Sequence, residues 1–200
     1  MEYKINIREM QKADVPQLLE ALGKAFATTP GWLAVFRDDP VIARRIQIGF
    51  EVVFKYLPVN IFIAELDGRV LGGMWIAKWP ACQAHPSLKM MISVVGKFGG
   101  LGPLIRTVKW LVAWGKHDPP KPHWHLKGLG VAPDFQGKGI GSQMVKFYCD
   151  IVDRDMIEAY LETGPKNVRF YERFGFKVVG EEIINGSKNC YMLRPAKSAK

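Results

Sequence analysis

The sequence predicts a single α/β (α+β) domain built around a sheet with mixed strand pairing. Its 200 residues are 48% apolar and 12% aromatic, which is enough to bury one substantial core. Alternating strand patterns occupy both ends of the chain, and a strand–loop–helix–strand–helix unit precedes the last two strands. Two turn dipeptides, Asp67-Gly68 and Asn185-Gly186, are typical of hairpins. Together these features favour helices layered on a sheet.

The N-terminal part of the chain predicts one strand followed by two helices. Residues Tyr3–Glu9 alternate apolar and polar side chains, as a half-buried strand does. Asp14 is predicted to cap a helix over Val15–Phe26, where apolar residues recur at helical spacing. A second helical pattern covers Val41–Tyr56 and stops before Pro58.

A predicted hairpin and an irregular insertion come next. The hairpin strands are Asn60–Leu66 and Arg69–Trp79. Residues 81–122 have little regular pattern and end in a proline-rich segment, so we interpret them as an insertion between core strands. Within the insertion, apolar residues from Leu104 to Val112 form one helical stripe. A helix packed on the core or over a cleft explains that stripe, with a membrane-surface helix as the alternative.

The strand predicted over His123–Val131 contains two glycines. Gly128 and Gly130 weaken it and indicate a bulge or a close approach to the backbone. The remaining predicted elements are a helix from Ile140 to Val152, a strand over Ile157–Thr163, a short helix over Asn167–Phe174 that ends at Gly175, the hairpin strands 176–184 and 190–193, and a basic tail over 195–200.

Charge and cysteine content limit the classes of partner and compartment. Lys and Arg outnumber Asp and Glu by 28 to 19, so the net charge of +9 attracts nucleic acid, anionic membranes and phosphorylated cofactors alike. Because the charges are scattered, a solvated surface explains them better than a nucleic-acid or membrane site. Cys82, Cys149 and Cys190 fit no disulfide or zinc spacing, and no apolar stretch could span a membrane. We therefore expect a cytoplasmic protein without a metal.

A glycine-rich stretch after the fourth predicted strand carries the strongest functional signal. In Gln136–Ser142, QGKGIGS, three glycines alternate with other residues and a lysine lies between two of them. Such a turn before a helix exposes backbone N–H groups to an anion such as a diphosphate. Ser142 breaks the dinucleotide fingerprint, and the ATP-binding P-loop pattern also fails. The structural alternative is a turn that only lets strand and helix pack closely.

The wider context of this loop resembles the GNAT family of N-acetyltransferases. Gln136–Gly141 fits that family's Q/R-x-x-G-x-G/A signature for acetyl-coenzyme A, and the segments LGVAP before it and NVRFYERFGF after it are similar to the family's flanking segments. The likeness covers nearly the whole chain and is greatest to the puromycin N-acetyltransferase type. It implies a mixed, mostly antiparallel sheet of about seven strands with helices on both faces.

The resemblance also implies where acetyl-coenzyme A binds. The cofactor would lie between the strand ending at Val131 and the strand Ile157–Thr163, splayed apart by a bulge, with the backbone of Leu129 and Val131 pairing with its pantetheine arm. Asn167 would hydrogen-bond that arm near the thioester. The implied cofactor-binding residues are Leu129, Gly130, Val131, Gln136, Gly137, Lys138, Gly139, Ile140, Gly141, Ser142, Asn167, Phe170, Tyr171 and Arg173.

Amine acetylation requires a base and an acid, and the chain offers candidates for both. An amine with a pKa near ~10.4 costs roughly 4.6 kcal/mol to deprotonate at pH 7, so a base is needed. Glu162 is the first candidate, with His123 and His125 as alternatives. The resemblance assigns Tyr171 to protonate or hydrogen-bond the departing thiolate. Tyr171 should act by a strengthening hydrogen bond unless its pKa is lowered, which Arg169 and Arg173 nearby could do.

The sequence leaves several functions open. The leading prediction is transfer of an acetyl group from acetyl-coenzyme A to a small-molecule primary amine, by direct attack in a ternary complex. A protein or peptide N-acetyltransferase and a non-catalytic acyl-coenzyme A binding protein are the alternatives, and a basic protein that binds nucleic acid or membrane is the rival from another class. The sequence does not define the acceptor, and it leaves a homodimer open.

Overall fold

The computed structural model describes residues 4–83 and 97–197, which form one seven-stranded sheet and six α-helices. The helices are α1 (Val15–Phe26), α2 (Pro30–Phe36), α3 (Ile42–Tyr56), α4 (Leu101–His117), α5 (Ile140–Asp155) and α6 (Val168–Glu172). The strands are β1 (Asn6–Glu9), β2 (Asn60–Leu66), β3 (Arg69–Lys78), β4 (His123–Val131), β5 (Glu158–Thr163), β6 (Lys177–Ile184) and β7 (Ser187–Arg194). Among these residues, no helix is both long and apolar enough to cross a membrane.

The sheet has the order β1-β2-β3-β4-β5-β7-β6. All neighbouring strands are antiparallel except β4 and β5, which are joined through α5. A parallel pair needs such a crossover, because its second strand must restart at the same edge of the sheet. The predicted mixed, mostly antiparallel sheet of about seven strands is therefore confirmed.

Helices cover both faces of the sheet, and each face has its own core. Face A packs against α5 and α6, and its core contains Met74, Leu126 and Leu161. Face B packs against α1, α2 and α3, and its core contains Ile63 and Trp75. Successive strand residues point to opposite faces, which explains why adjacent positions such as 74 and 75 belong to different cores.

Helix α4 extends face B over the last two strands. The indole Nε1 atoms of Trp110 and Trp114 donate to Asn189 Oδ1 at 3.1 and 3.3 Å. The ring of His117 stacks on Tyr191, with ring centroids 3.9 Å apart. The predicted helix therefore exists and packs on the core, but it does so through Trp110, Ala113 and Trp114. The predicted stripe is not the packed side: four of its five residues are exposed, namely Ile105, Val108, Leu111 and Val112.

Three predicted details of secondary structure were wrong. Strand β1 begins at Asn6, while Tyr3 lies outside the described residues. Asp14 does not cap α1 with its side chain; its carboxylate accepts hydrogen bonds from the Gln11 backbone and the Arg8 guanidinium. Strand β7 begins at Ser187 and not at Cys190. The prediction started too late because buried polar residues in the first half of the strand interrupt the apolar pattern.

Helix α2 was not predicted. It covers only seven residues, too few to establish an apolar period, and begins with Pro30 at its first position. Arg37, the C-cap residue that follows α2, has φ of 57°, an uncommon value for a residue with a side chain.

Candidate active site

The parallel pair β4 and β5 separates part-way along its length. The strands pair from His123 opposite Glu158 to Leu126 opposite Leu161, and the pairing ends there. On the other edge of β4, the register with β3 shifts so that Lys127 is an extra, unpaired residue. Such a bulge bends the strand. The structure thus contains the bulge and the splayed strands that the sequence led us to expect.

Beyond the bulge, β4 remains paired with β3 on one side. The Ala132 N–H donates to the Leu71 carbonyl oxygen at 2.8 Å, on the β3 side. Since backbone direction alternates along a strand, the polar groups of Leu129 and Val131 face away from β3, toward the opening. One of these groups is already occupied, because Gln136 Nε2 donates to the Val131 carbonyl oxygen at 2.9 Å.

The two glycines of β4 are required by packing within the protein. A Cβ on Gly128 would collide with the Trp75 ring, and one on Gly130 would lie 2.7 Å from the ring of Phe26 and 2.9 Å from Leu22. Both glycines therefore have their side-chain position on face B, where α1 and Trp75 lie close to the backbone. The predicted close approach is real, and the protein's own side chains make it.

The glycine loop leads directly into α5. Gly137 and Gly139 have φ of 74° and 81°, in the left-handed region that favours glycine. Gly139 is the N-cap of α5, and the Gln143 N–H donates to its carbonyl oxygen at 3.1 Å. The N–H groups of the first helical turn, from Ile140 onward, have no partner within the helix and lie at the positive end of its dipole. This end of α5 can bind an anion.

Two side chains of the loop that we expected to contact an anion make contacts within the protein. We expected both Gln136 and Lys138 beside a diphosphate. Gln136 instead reaches back to Val131, as described above. Lys138 Nζ lies 5.0 Å from the centroid of the Phe135 ring. In this structure, the anion-binding character of the loop comes mainly from its backbone.

Tyr171 lies on face A, in the same core as α5. It is buried, and its ring packs edge-on against Phe170 and Phe176, with centroids 5.0 and 6.0 Å away. Burial raises the pKa of Tyr171 above its ordinary value near 10. The expectation that Arg169 and Arg173 lower this pKa was wrong, since both are exposed and Arg173 lies over Phe170, 5.2 Å from the ring centroid.

Three elements of the implied cofactor site meet beside Phe170. The position of a Cβ on Gly141 would be 3.6 Å from Phe170 and 3.8 Å from Leu129, so α5, α6 and β4 are in contact there. Asn167 is exposed at the N-cap of α6, and its side chain makes no capping hydrogen bond. Leu129, Gly141 and Phe170 are thus brought together at the opening between β4 and β5.

Glu162 lies on face B, one residue past the last β4–β5 pair. Its Oε2 accepts a hydrogen bond from His125 Nε2 at 2.7 Å, and its side chain is only 2% exposed. Within residues 4–83 and 97–197, its other oxygen, Oε1, is buried without a hydrogen-bond partner. A buried carboxylate oxygen without a donor can accept a proton or a hydrogen bond from a bound molecule.

A cluster of polar residues surrounds Glu162 on face B. Neighbouring positions are occupied by His123 and His125 of β4 and by Tyr160 of β5. Each histidine ring packs edge-on against the ring of Tyr160. Asp118, at the end of the insertion, lies 2.9 Å from His123 Nε2 and 3.6 Å from His125 Nδ1. Burial alone would lower the pKa of His123, but its bonds to Asp118, Cys82 and the Lys121 carbonyl raise this pKa to about 9.

The proposed base and acid are on opposite faces of the sheet. Glu162 alternates with Leu161, which packs into the face A core, and Tyr171 belongs to that same core. The two residues therefore lie on opposite sides of the sheet, with Glu162 one residue past the last β4–β5 pair. The spacing His123-x-His125 in a strand is enough to place both histidines on one face. Cys82, Asp118 and Tyr160 of the cluster were not predicted from the sequence.

Comparison with known proteins identifies the family of enzymes to which this fold belongs. A description of the acetyltransferase (GNAT) family matches residues 28–176. The chain therefore belongs to the GNAT family of acetyltransferases, whose acyl donor is acetyl-coenzyme A.

Two curated proteins match parts of the chain. A glucosamine 6-phosphate N-acetyltransferase of Candida albicans is 33% identical over 61 residues, which is 30% of this chain and 41% of that protein. An S-(2-succino)cysteine N-acetyltransferase of Bacillus subtilis is 30% identical over 98 residues, which is 46% of this chain and 59% of that protein. The chain thus spans about half the length of these relatives.

Solved structures match the whole fold. One is described as a histone acetyltransferase HPA2 and related acetyltransferase from Corynebacterium glutamicum; its TM-score is 0.73 at 20% identity, with 99% of each chain covered. Another is a GNAT family acetyltransferase from Brucella melitensis in complex with acetyl-coenzyme A, with a TM-score of 0.55 at 15% identity, covering 100% of this chain and 92% of that one. At these identities the likeness concerns the fold alone.

Proposed function

We propose that this protein transfers the acetyl group of acetyl-coenzyme A to a primary amine of a small molecule, by direct attack in a ternary complex. One observation carries the proposal: β4 and β5 separate after Leu126 and Leu161, directly beside a glycine loop that opens the N-terminus of α5. The opening can admit an extended arm, and the helix end can bind the two phosphates at its base.

The donor's position follows from the backbone of the splayed strand. The N–H groups of residues 137–142 would bind the diphosphate. The edge of β4 that faces the opening would pair with the pantetheine arm at Leu129 and Val131, after Gln136 releases the Val131 carbonyl or shares it. Gly141 and Phe170 would contact the same arm, and Asn167 is exposed close by at the N-cap of α6.

Glu162 is the proposed base on face B. Its Oε1 is buried and lacks a donor among the described residues, while Oε2 is fixed by His125. A water or the amine itself, bound at Oε1, would lose its proton there before attack. His123 and His125 are less suited to this role, because the ring nitrogens of both lie against carboxylates, those of Asp118 and Glu162.

Tyr171 is the proposed acid on face A. Since burial raises its pKa, the phenol stays protonated at neutral pH and can donate a hydrogen bond to the thiolate as coenzyme A leaves. Complete proton transfer from a phenol near ~10 to a thiolate near ~8.5 is already uphill by about 2 kcal/mol, and the raised pKa adds to that cost. Tyr171 therefore acts by a strengthened hydrogen bond.

The acceptor is proposed to carry an anionic group besides its amine. A cavity of about 460 Å³ lies between α2, α4 and the β6–β7 turn, and three of its lining residues are Arg37, Arg106 and Lys109. Its size suits a small molecule. Its lining residue Asn185 is six residues along the chain from Tyr191, the residue paired with Glu162, so an acceptor bound there would have to extend along the sheet to reach Glu162. Glucosamine 6-phosphate and S-(2-succino)cysteine, the acceptors named for the two curated relatives, are both anionic amines.

Thiol release with acetyl-coenzyme A and a panel of amines tests this function. The panel contains amino-sugar phosphates, amino-acid derivatives with an added carboxylate, polyamines, puromycin and lysine peptides. We expect turnover with small anionic amines. Turnover of peptides alone would favour the protein-acceptor alternative, and turnover of puromycin would support the puromycin N-acetyltransferase type. Tight donor binding without any turnover would indicate a non-catalytic acyl-coenzyme A binding protein.

Two substitutions test the acceptor cavity. Arg37→Gln and Lys109→Gln should each raise the KM for anionic amines several-fold and leave the KM for acetyl-coenzyme A unchanged. Lys116→Gln, an exposed position of the same helix outside the cavity, is the matched control. An equal change for charged and uncharged amines would contradict the assignment of this cavity to the acceptor.

A further inference from the structure

Four buried side chains with metal-ligating atoms meet on face B, where the insertion joins the sheet. Cys82 follows β3, Asp118 follows α4, and His123 and His125 are on β4. One atom from each, a sulfur, a carboxylate oxygen and two ring nitrogens, lies within 4.8 Å of all the others. The relative exposure of Cys82, His123 and His125 is 3%, 0% and 1%. Four polar or ionisable side chains buried together are costly unless they are paired or bind an ion, so the cluster requires an explanation.

The distances within the cluster suit a four-coordinate ion. A tetrahedral zinc site has bond lengths of about 2.0 to 2.3 Å, which separates its ligand atoms by roughly 3.3 to 3.7 Å. Here Cys82 Sγ is 3.5 Å from His123 Nε2, and His125 Nδ1 is 3.6 Å from Asp118 Oδ2. Asp118 Oδ1 is 2.9 Å from His123 Nε2. The last distance is shorter than the tetrahedral range and every pair lies within 4.8 Å, so the ligands would have to adjust their positions around a bound ion.

Hydrogen bonds outside the cluster hold both imidazoles in the tautomer that a metal needs. His123 Nδ1 donates to the Lys121 carbonyl oxygen at 2.8 Å, which directs Nε2 into the cluster, where a metal ion would replace its proton. His125 Nε2 donates to Glu162 at 2.7 Å, which leaves the lone pair on Nδ1 inside. Among the described residues, His125 Nδ1 is a buried nitrogen without a hydrogen-bond partner. Outer partners of this kind are typical of histidines bound to zinc.

We propose that Cys82, Asp118, His123 and His125 form a structural Zn²⁺ site. One thiolate, one carboxylate and two neutral imidazoles balance the charge of a divalent ion in a buried environment. This mixture of one sulfur, two nitrogens and one oxygen favours zinc over calcium or magnesium, which prefer oxygen ligands. The four ligands and their burial indicate a structural role, because a catalytic zinc keeps one position open.

The site would fasten the insertion to the sheet at both of its ends. Cys82 and Asp118 lie at the beginning and near the end of residues 81–122, so the ion would close that loop onto β4. It would also orient His125, and through His125 the carboxylate of Glu162. The spacing of the cysteines could not reveal such a site, since only one of them belongs to it and its partners are distant in sequence.

Metal titration of the full-length protein tests the proposal. The protein is stripped with a chelator and titrated with Zn²⁺ against a chromophoric competitor. We expect one equivalent to bind per chain and the melting temperature to rise on binding. With Co²⁺ in place of Zn²⁺, a thiolate-to-cobalt charge-transfer band in the near ultraviolet and the visible bands of tetrahedral cobalt should appear.

Matched variants identify the ligands. Cys82→Ser should abolish the charge-transfer band and weaken Zn²⁺ binding by at least about 100-fold, more than loss of an outer partner costs. Cys149→Ser, another buried cysteine outside the cluster, and His117→Gln, an exposed histidine, should keep both properties. If the wild-type protein binds no Zn²⁺, if bound Co²⁺ shows no thiolate band, or if Cys149→Ser loses the band instead, the cluster is only a hydrogen-bonded network and the proposal fails.

Discussion

Faces A and B of the sheet differ in how their functional groups are built. On face A, the candidate donor site consists of backbone and a few side chains within one continuous segment, from the glycine loop through α5 to α6. On face B, the candidate acceptor side is assembled from β4, β5, α2 and both ends of the insertion. The contrast shows that a backbone site can be specified locally, whereas a side-chain site needs the completed fold.

The same contrast explains what each site can recognise. Backbone N–H groups at a helix end bind phosphates whatever the neighbouring side chains are, so face A suits a donor common to a family. Side chains such as Arg37 and Lys109 can change without altering the sheet, so face B suits acceptors that differ among relatives. Predictions that affect one face and leave the other unchanged will test this division.

The largest expected effect is at Tyr171, the proposed acid on face A. Tyr171→Phe removes the hydrogen bond to the departing thiolate, and we expect kcat to fall by about 10²- to 10⁴-fold. The KM for both substrates should change little, because the phenyl ring still fills the core beside Phe170 and Phe176. Steady-state kinetics measures the split between kcat and KM. Tyr56→Phe on α3 is the control, and an unchanged kcat for Tyr171→Phe would remove this residue from the chemical step.

The next effect is at the base on face B. Glu162→Gln keeps the size of the side chain but cannot take a proton, so kcat should fall by about 10²-fold. Calorimetric binding of acetyl-coenzyme A should be unaffected, since the proposed donor site is formed by β4, the glycine loop, α5 and α6. Glu172→Gln, an exposed glutamate on α6, provides the comparison. Loss of donor binding in Glu162→Gln would mean that the two faces are not separable.

A stability effect of intermediate size is expected where face B packs on β4. Gly128→Ala places a methyl group into the Trp75 ring and should lower the free energy of unfolding by about 1 to 3 kcal/mol. Gly115→Ala on α4 is the matched control: no atom lies within 4 Å of its added Cβ, and alanine should stabilise the helix by up to about 1 kcal/mol. Urea unfolding compares them. Equal stability of both variants would show that Trp75 moves aside freely.

The smallest effect is remote from both sites and concerns pH. The hydrogen bond from Arg8 lowers the pKa of Asp14 below its ordinary value of 3.8. This contribution to stability is complete above the ordinary pKa and is lost as the pH falls toward the lowered one. Asp14→Asn should therefore cost more stability at about pH 6 than at about pH 3, because part of the contribution is lost below the ordinary pKa. Unfolding of this variant and of Asp38→Asn at both pH values measures the difference; a cost independent of pH would contradict the ionic explanation.

Much of the fold could be predicted from the sequence because its signals are local. The hairpin turns at Asp67-Gly68 and Asn185-Gly186, the apolar periods of α1 and α3, and Gly175 with φ of 86° after α6 each depend on a few neighbouring residues. Helix α2 was too short to show a period. The start of β7 was hidden because Ser187 and Asn189 are buried polar residues that bond within the protein and to α4.

The candidate site was predicted unevenly for the same reason. The glycine loop and Tyr171 were proposed as site residues from a contiguous motif, and Glu162 from its place at a strand end. The polar neighbours of Glu162 were missed, since Cys82 and Asp118 are 80 and 44 residues away from it along the chain and meet it only through the sheet. The direction of the pKa shift of Tyr171 was also missed, because neighbouring charges can be read from a sequence and burial cannot.

The tryptophans described below are distributed unequally between the two faces, so intrinsic tryptophan fluorescence can report on ligand binding at one face. Trp32, Trp75 and Trp110 pack in the core of face B, and Trp114 shares Asn189 with Trp110, whereas Trp124 packs against the core of face A. Intrinsic emission therefore comes largely from one side of the sheet. A ligand entering between α2 and α4 would alter that emission strongly, while a nucleotide at the start of α5 would leave most of it unchanged, so the two binding events can be followed separately without labels.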